Sequence, residues 1–469
     1  MSDVGIAWAV FAPLLVGGTA WLLYPLNSRL SDRGRSWLGM VTLLLASAAL
    51  LVGPVVLAVS TGETSLPAVG LTLAVTPLAR LGLVAANAAI FCMLIAAWPP
   101  RPGFAAYLAV SAAMLASGLL ACALLTSGVI LTAFCLFAVA LLVGIVATVQ
   151  AAGSSDDASL REERARRLTG ALKHLALAAV VTVLLVAGGL LVARYPYNQE
   201  NVAALQTGLG LLVIGLVVRA GAMPFAGANA DLVESAPSAA ILALGATVPV
   251  VIVVGLLILR QPETGPVSLS ETSRQVALWI AVIGALLAGL RALGARERGP
   301  GVSSRSAGRP DLPVLVACSA ALQTGWALFG VLSGSRPGAD GAALLAVNIA
   351  LAVPLVVVGS RLKIQSSGLE EASMNPALAV GAASLLGLPP FGGFVGCVLV
   401  AQAAAEVNGW LLAALLLGST GVAIAWLRAV PSLAPEQAGT PNITLRLLAW
   451  ALVGAQLVLL VLSVVERKT

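Results

Sequence analysis

Apolar runs of about twenty residues recur along the whole chain, cut by short polar stretches such as "NSRLSDRGRS", "SSDDASLREERARR", "RERGPGVSSRSAGRP" and "SRLKIQSSGLEE". A helix of about 20 mostly apolar residues is long enough to cross the hydrocarbon of a bilayer. The pattern predicts about fourteen such helices, near residues 5–25, 37–59, 76–99, 104–124, 127–149, 168–193, 205–226, 237–259, 275–294, 312–333, 341–360, 374–402, 408–427 and 443–465. The split between 104–124 and 127–149 is the narrowest, and the twelfth run is long and broken by "GLPPFGG". Gly and Ala dominate the runs, which lets neighbouring backbones approach closely. The predicted class is therefore all-α: a polytopic membrane helix bundle with short connections and no long soluble domain.

Composition agrees. Of 469 residues, 59% are hydrophobic and 10% charged, and the mean hydropathy is +1.01. An ordinary soluble domain is about one quarter charged. The net charge of +6 is a loop bias, not a nucleic-acid footprint. Alternating the fourteen spans puts 15 loop Lys and Arg residues on one side and 6 on the other. By the positive-inside rule the richer side is cytoplasmic. That predicts a multi-pass protein of the inner (cytoplasmic) membrane with both termini outside. Met1-Ser-Asp-Val carries no basic n-region, so no cleavable signal is expected. The five cysteines, Cys92, Cys122, Cys135, Cys318 and Cys397, all lie in apolar runs without a CxxC pair, and His174 is the one histidine. No metal site is expected from such a set. No cofactor motif occurs either, so any electron transfer belongs to partner subunits.

Charges inside the spans are the candidate chemistry, because each costs about 2.5–3.5 kcal/mol near the bilayer centre. Arg80 lies near the start of its run and reaches the interface by snorkelling. Lys173 and His174 lie about one and a half turns into the sixth run, where snorkelling of Lys173 and capping of a polar patch by His174 are the plainer alternatives. Arg219 is deep in the seventh, five residues before Pro224, where a helix must lose a backbone bond. Carbonyls freed by such a break are tolerated only inside protein or against a wet cavity. Arg219 therefore reads as the lining of a hydrated path. Asp231 and Glu234 follow in "RAGAMPFAGANADLVESAPSAA"; a role in capping and fixing the loop before the eighth span is the plainer alternative.

Four stretches carry a family resemblance. Pro224-Phe225, Asp231, Glu234 and Ala236-Pro237 resemble the "PFHxWxPDxxExAPxP" segment of the antiporter-like membrane subunits of complex I and of multi-subunit cation/proton antiporters. "SLLGLPPFGGFVGCVLVAQ" at 384–402 resembles the family's "SLAGIPPxxGFxGK", and "VACSAALQTGWALFG" at 316–330 resembles "LAYSSIAHxGY". "ALKHLALAAVVT" at 171–182 is similar to "ALKYFLLGAxAS" of the quinone-oxidoreductase subunit called N, the nearest member by motif. The resemblance covers roughly residues 70–430, with the motifs in family order. It implies two inverted five-helix repeats, at 104–260 and 274–428, flanked by N-terminal spans in 1–103 and a C-terminal span in 443–469. It also implies discontinuous helices broken at Pro224 and at Pro389-Pro390. The partners implied are other membrane subunits of a hetero-oligomeric complex, the lipid bilayer, and protons or monovalent cations.

The family's charge relay is only partly present. By alignment its carboxylate on the fifth span is Ala138, its lysine on the seventh is Arg219, and its position on the eighth falls near Pro249. The lysine of "GFxGK" is Cys397, and the histidine and tryptophan of "PFHxW" are Ala226 and Ala228. Lys173 alone is retained. A guanidinium stays protonated at ordinary pH, so Arg219 fits a plug, or an anchor for Asp231 or Glu234, better than a proton shuttle. Lys173, Arg219, His174, Asp231, Glu234 and Cys397 are therefore the ion-path candidates of a degenerate relay. The expected function is an antiporter-like, proton-translocating type subunit of a complex I-related assembly. The alternatives are a structural membrane-arm subunit that has lost transport and an unrelated secondary transporter.

Overall fold

The computed structural model describes residues 2–27, 32–59, 64–68, 71–96, 102–121, 125–151, 158–194, 201–221, 229, 231–233, 236–260, 269–295, 311–365 and 376–429. The fourteenth predicted span, Pro224 and Glu234 lie outside them. The described helices are α1 (Ser2–Asn27), α2 (Asp32–Val59), α3 (Pro77–Ala96), α4 (Pro102–Ala121), α5 (Leu125–Ala151), α6 (Ala158–Arg194) and α7 (Val202–Arg219). A short α8 (Pro237–Ala240) runs through a π-helical segment, Ile241–Thr247, into α9 (Val248–Arg260). Then come α10 (Glu271–Leu293), α11 (Leu312–Leu332), α12 (Arg336–Gln365), α13 (Pro376–Leu385), α14 (Gly392–Val407) and α15 (Gly409–Ala429). Nine spans among the described residues are long and apolar enough to cross a membrane, and four shorter apolar helical segments accompany them.

Each of the first thirteen predicted spans corresponds to helix, with three informative shifts. The helix α6 begins at Ala158, inside the charged stretch taken as a loop. Hydropathy equates charge with loop, yet Glu162 and Arg166, like Glu163 and Arg167, have the four-residue spacing that supports a helix. At the other extreme α7 stops at Arg219, short of the expected 226. "AGAMPFAG" is apolar in composition but rich in helix breakers. The third shift is a two-stranded antiparallel hairpin, β1 (Thr64–Ala68) with β2 (Leu71–Val75), in what read as a connection between the second and third spans.

Helix starts follow local chemistry. Thr76 caps α3 by accepting a hydrogen bond from Ala79 N at 3.1 Å, with Pro77 in the first helical position, where its missing N–H costs nothing. Asp311 caps α11 in the same way, accepting from Val314 N at 3.3 Å.

The chain forms two compact units. Unit 1 holds residues 1–219 and 249–274. In it α1 packs on α2 and α4, α4 on α5, α5 on α6, and α6 on α7. Small residues set these approaches. A Cβ on Gly188 of α6 would stand 2.7 Å from the Gly208 carbonyl oxygen of α7. Thr132 of α5 donates to the Gly118 carbonyl of α4 at 2.7 Å, tying two apolar helices through a buried polar group. A satisfied bond of this kind contributes about 1 kcal/mol.

Unit 2 holds residues 220–248 and 275–469. Here α11 is buried along nearly its whole length and packs on α12, α14 and α15. The π-helical segment is wholly buried and packs on α12. Its widened ring is closed on one side by Thr247, whose hydroxyl donates to the Leu242 carbonyl at 2.9 Å. Between α10 and α15 the backbones nearly touch: a Cβ on Gly289 would lie 2.6 Å from the Gly418 carbonyl oxygen. Two tryptophans pin α11 to α15. Trp326 Nε1 donates to Ser419 Oγ at 3.0 Å, and Trp426 Nε1 donates to Ser319 Oγ at 2.8 Å.

The outward faces are apolar. Leu15, Val183, Leu290 and Leu427 all stand out on helices, and Trp410 is 81% exposed. Such faces on helices of spanning length suit lipid or other membrane helices, not water.

Candidate functional site

Among the described residues, two places combine buried polar groups with the end of a helix. In unit 1 the last residue of α7 is Arg219, which is 5% exposed. Its guanidinium reaches across to α6 and α5. Nη1 lies 3.1 Å from His174 Nε2, and Nη2 donates to the Leu136 carbonyl at 3.3 Å. Guanidinium has no acceptor, so His174 Nε2 must accept, which places the ring proton on Nδ1 and keeps that imidazole neutral. His174 is itself 3% exposed. The end of α7 is a favourable place for the charge, because the last carbonyls of a helix carry partial negative charge.

Adjacent residues on α6 therefore face different ways. His174 turns inward to Arg219, whereas Lys173 stands on the exposed face of the helix. Ala138, where the family resemblance implies a carboxylate, lies on α5 two residues after the carbonyl that Arg219 uses.

After Arg219 the chain turns at Ala220 and Gly221, the latter at φ 75°, a conformation that favours glycine. Within unit 2, Gly221 lies against Asn229, a buried amide that the sequence motifs did not single out. Asp231 is half-buried in the short helical turn 231–233 that follows.

The second break is fully described. The helix α13 ends at Leu385 and α14 starts at Gly392, with Pro389 and Pro390 exposed in the turn between them and Gly387 at φ 68°. The Ser384 carbonyl, released from the regular helical ladder, becomes the centre of a polar network. It accepts from Gln323 Nε2 at 2.7 Å, from Asn348 Nδ2 at 3.1 Å and from Gly387 N at 3.1 Å. Asn348 Nδ2 also donates to Gln323 Oε1 at 2.8 Å, and Ser384 Oγ donates to Asn348 Oδ1. Gln323, Asn348 and Ser384 are each at most 1% exposed. The network joins α11, α12 and α13, and α14 seals it. A Cβ on Gly393 would stand 2.8 Å from both side-chain amide nitrogens. Cys397, one turn further along α14, is half-buried, and its Sγ would lie 3.0 Å from a Cβ at Gly387.

The network is neutral throughout and its members satisfy one another. Sequence motifs overlapped Gln323 and Ser384 without marking them, and missed Asn348. The available signal was a lone amide in each of two apolar helices.

Solved structures resemble this arrangement over its full length. A chain of the membrane-bound sulfane sulfur reductase, an archaeal respiratory membrane complex, matches with a TM-score of 0.78 at 16% identity, covering 99% of this chain and 96% of that one. A chain of the Mrp complex from Dietzia sp. DQ12-45-1b matches with a TM-score of 0.74 at 15% identity, covering 99% and 95%. This chain has their fold. Respiratory complex I from Thermus thermophilus supplies a third match, with a TM-score of 0.68 at 18% identity, covering 98% and 95%. No family model and no curated relative matches by sequence. The antiporter-like resemblance read from four short motifs is thus matched at the level of the fold, in a multi-pass membrane protein. The helix α7 stops at Arg219, and α13 stops at Leu385, four residues before Pro389.

Proposed function

We propose that this chain is an antiporter-like subunit of the proton- or cation-translocating type in a complex I-related membrane assembly, with a degenerate charge relay. The observation that supports it is the end-to-end likeness of fold to chains of three multi-subunit membrane complexes. On this reading its partners are other membrane subunits, and 104–260 and 274–428 are inverted repeats. It sits in the inner membrane with both termini outside. Subunit N is the member its motifs favour. Lys173, on the outer face of α6, is the group able to exchange protons with a neighbouring subunit, while Arg219, His174, Asp231, Glu234 and Cys397 mark the remains of the internal path.

A second reading, a structural subunit that has lost transport, is favoured by one observation. The break between α13 and α14 is held by Gln323, Asn348 and Ser384, none of which carries a charge. Proton flux in vesicles reconstituted with the co-purifying subunits separates the two. A sharp fall in Lys173→Ala supports translocation. No flux in wild type with the assembly intact supports the structural role. The absence of any co-purifying membrane subunit would contradict both.

A further inference from the structure

We propose that Arg219 is a selectivity barrier, a fixed positive charge with no paired carboxylate among the described residues, that closes the interior of the α5–α6–α7 cluster to protons and other cations. The proposal rests on the subunit class proposed above and says which charge is refused along its internal path.

The observations are geometric. Arg219 is 5% exposed, and its guanidinium stays charged at ordinary pH. Its two hydrogen bonds end on neutral acceptors, His174 Nε2 and the Leu136 carbonyl. Among the described residues no carboxylate pairs with it, and its Nε–H has no hydrogen-bond partner. A charge that ends on neutral acceptors, offset only by the partial negative charge at the end of α7, keeps part of its field. On the helices around it, the titratable side chain that meets the guanidinium is His174. Lys173 faces outward, and Cys135 of α5 packs instead toward Gly118 of α4.

That geometry does two things. The field repels a passing cation: at about 5 Å and an effective dielectric of about 20, the repulsion lowers its population by roughly two orders of magnitude. The hydrogen bond also occupies His174. While Arg219 donates to Nε2, that nitrogen has no lone pair free to take a proton, so the nearest candidate carrier is withdrawn from any relay. A lysine at this position could lose its proton and release both effects; arginine cannot. Hydrogen-bonding and electrostatic exclusion by an arginine lining a pore is a known physical device in channels.

The test is proton entry into vesicles holding the purified assembly, driven by an imposed potential and read with an internal pH dye. Every protein compared carries Lys173→Ala, so that movement along the outer face of α6 does not contribute. Arg219→Gln keeps an amide donor and removes the charge; it is expected to raise proton entry by about tenfold or more. Arg219→Lys is expected to match the arginine protein at mildly acidic pH and to leak increasingly as pH rises, as the ammonium loses its proton. Equal entry in the arginine and glutamine proteins, with the same subunits co-purifying, overturns the barrier. If the glutamine protein fails to assemble, the lysine protein decides: entry that follows the arginine protein at every pH overturns it. Failure of the subunit assignment shows separately, as loss of co-purifying subunits from the wild type.

Discussion

Asn348 is expected to be energetically coupled to Gln323, because each leaves the other's buried polar atoms stranded when removed alone. Asn348→Leu preserves side-chain volume approximately and deletes three hydrogen bonds. Gln323 Oε1 then loses its donor in a residue only 1% exposed, while Ser384 Oγ can turn back to a carbonyl of its own helix. One buried orphan plus the lost bonds gives a cost of about 2–4 kcal/mol. Gln323→Leu leaves one Asn348 N–H unpaired and deletes the shortest bond to the Ser384 carbonyl, at about 1–3 kcal/mol. The double variant strands neither amide, and Ser384 O still accepts from Gly387 N. Its cost should fall short of the sum by about 1–2 kcal/mol. Equilibrium unfolding in mixed micelles of detergent and denaturing surfactant measures all four proteins. Additivity within about 0.5 kcal/mol would show that the two amides act independently and that the closed network has no energetic meaning.

Gly393→Ala should be among the most damaging single-methyl changes in unit 2, by about 2 kcal/mol or more, since its Cβ meets two buried amides and a backbone carbonyl; unfolding indistinguishable from wild type would contradict the packing of α14 on the network. Lys173→Ala should lower proton flux through the assembly; unchanged flux removes it from any path. A cysteine placed at Ser155 should resist impermeant thiol reagents added outside intact cells, and labelling there would invert the proposed orientation.

Much of this fold was legible because spanning helices are written as runs of composition, and composition survives without any partner. The break between α13 and α14 was legible from Pro389-Pro390, where a missing N–H cannot continue the ladder. Boundaries set by finer chemistry were not. Hydropathy cannot see that Glu163 and Arg167 favour helix over loop, nor that "TSLPA" and "LTLAV" pair as strands between two long helices. The polar network was hidden for another reason. Gln323, Asn348 and Ser384 are single residues in three apolar helices, separated by 25 and 36 positions, and only packing brings them together. The Arg219–His174 contact spans 45 positions and was likewise invisible, although both residues stood out as charges or near-charges in lipid.

The crossed tryptophan pins between α11 and α15 have a consequence for how the protein is made. Trp326 finds its acceptor, Ser419, 93 residues later in the chain, and Ser319 receives Trp426 107 residues later. A growing polypeptide that has already inserted α11 must hold an indole N–H in the bilayer, without its final partner, through synthesis of α12, α13 and α14. Satisfaction of both indole N–H groups is thus timed by the arrival of α15. Chains released before Gly409 are expected to insert yet remain open to protease, and a separately expressed α15 segment should restore protection if those two contacts govern closure.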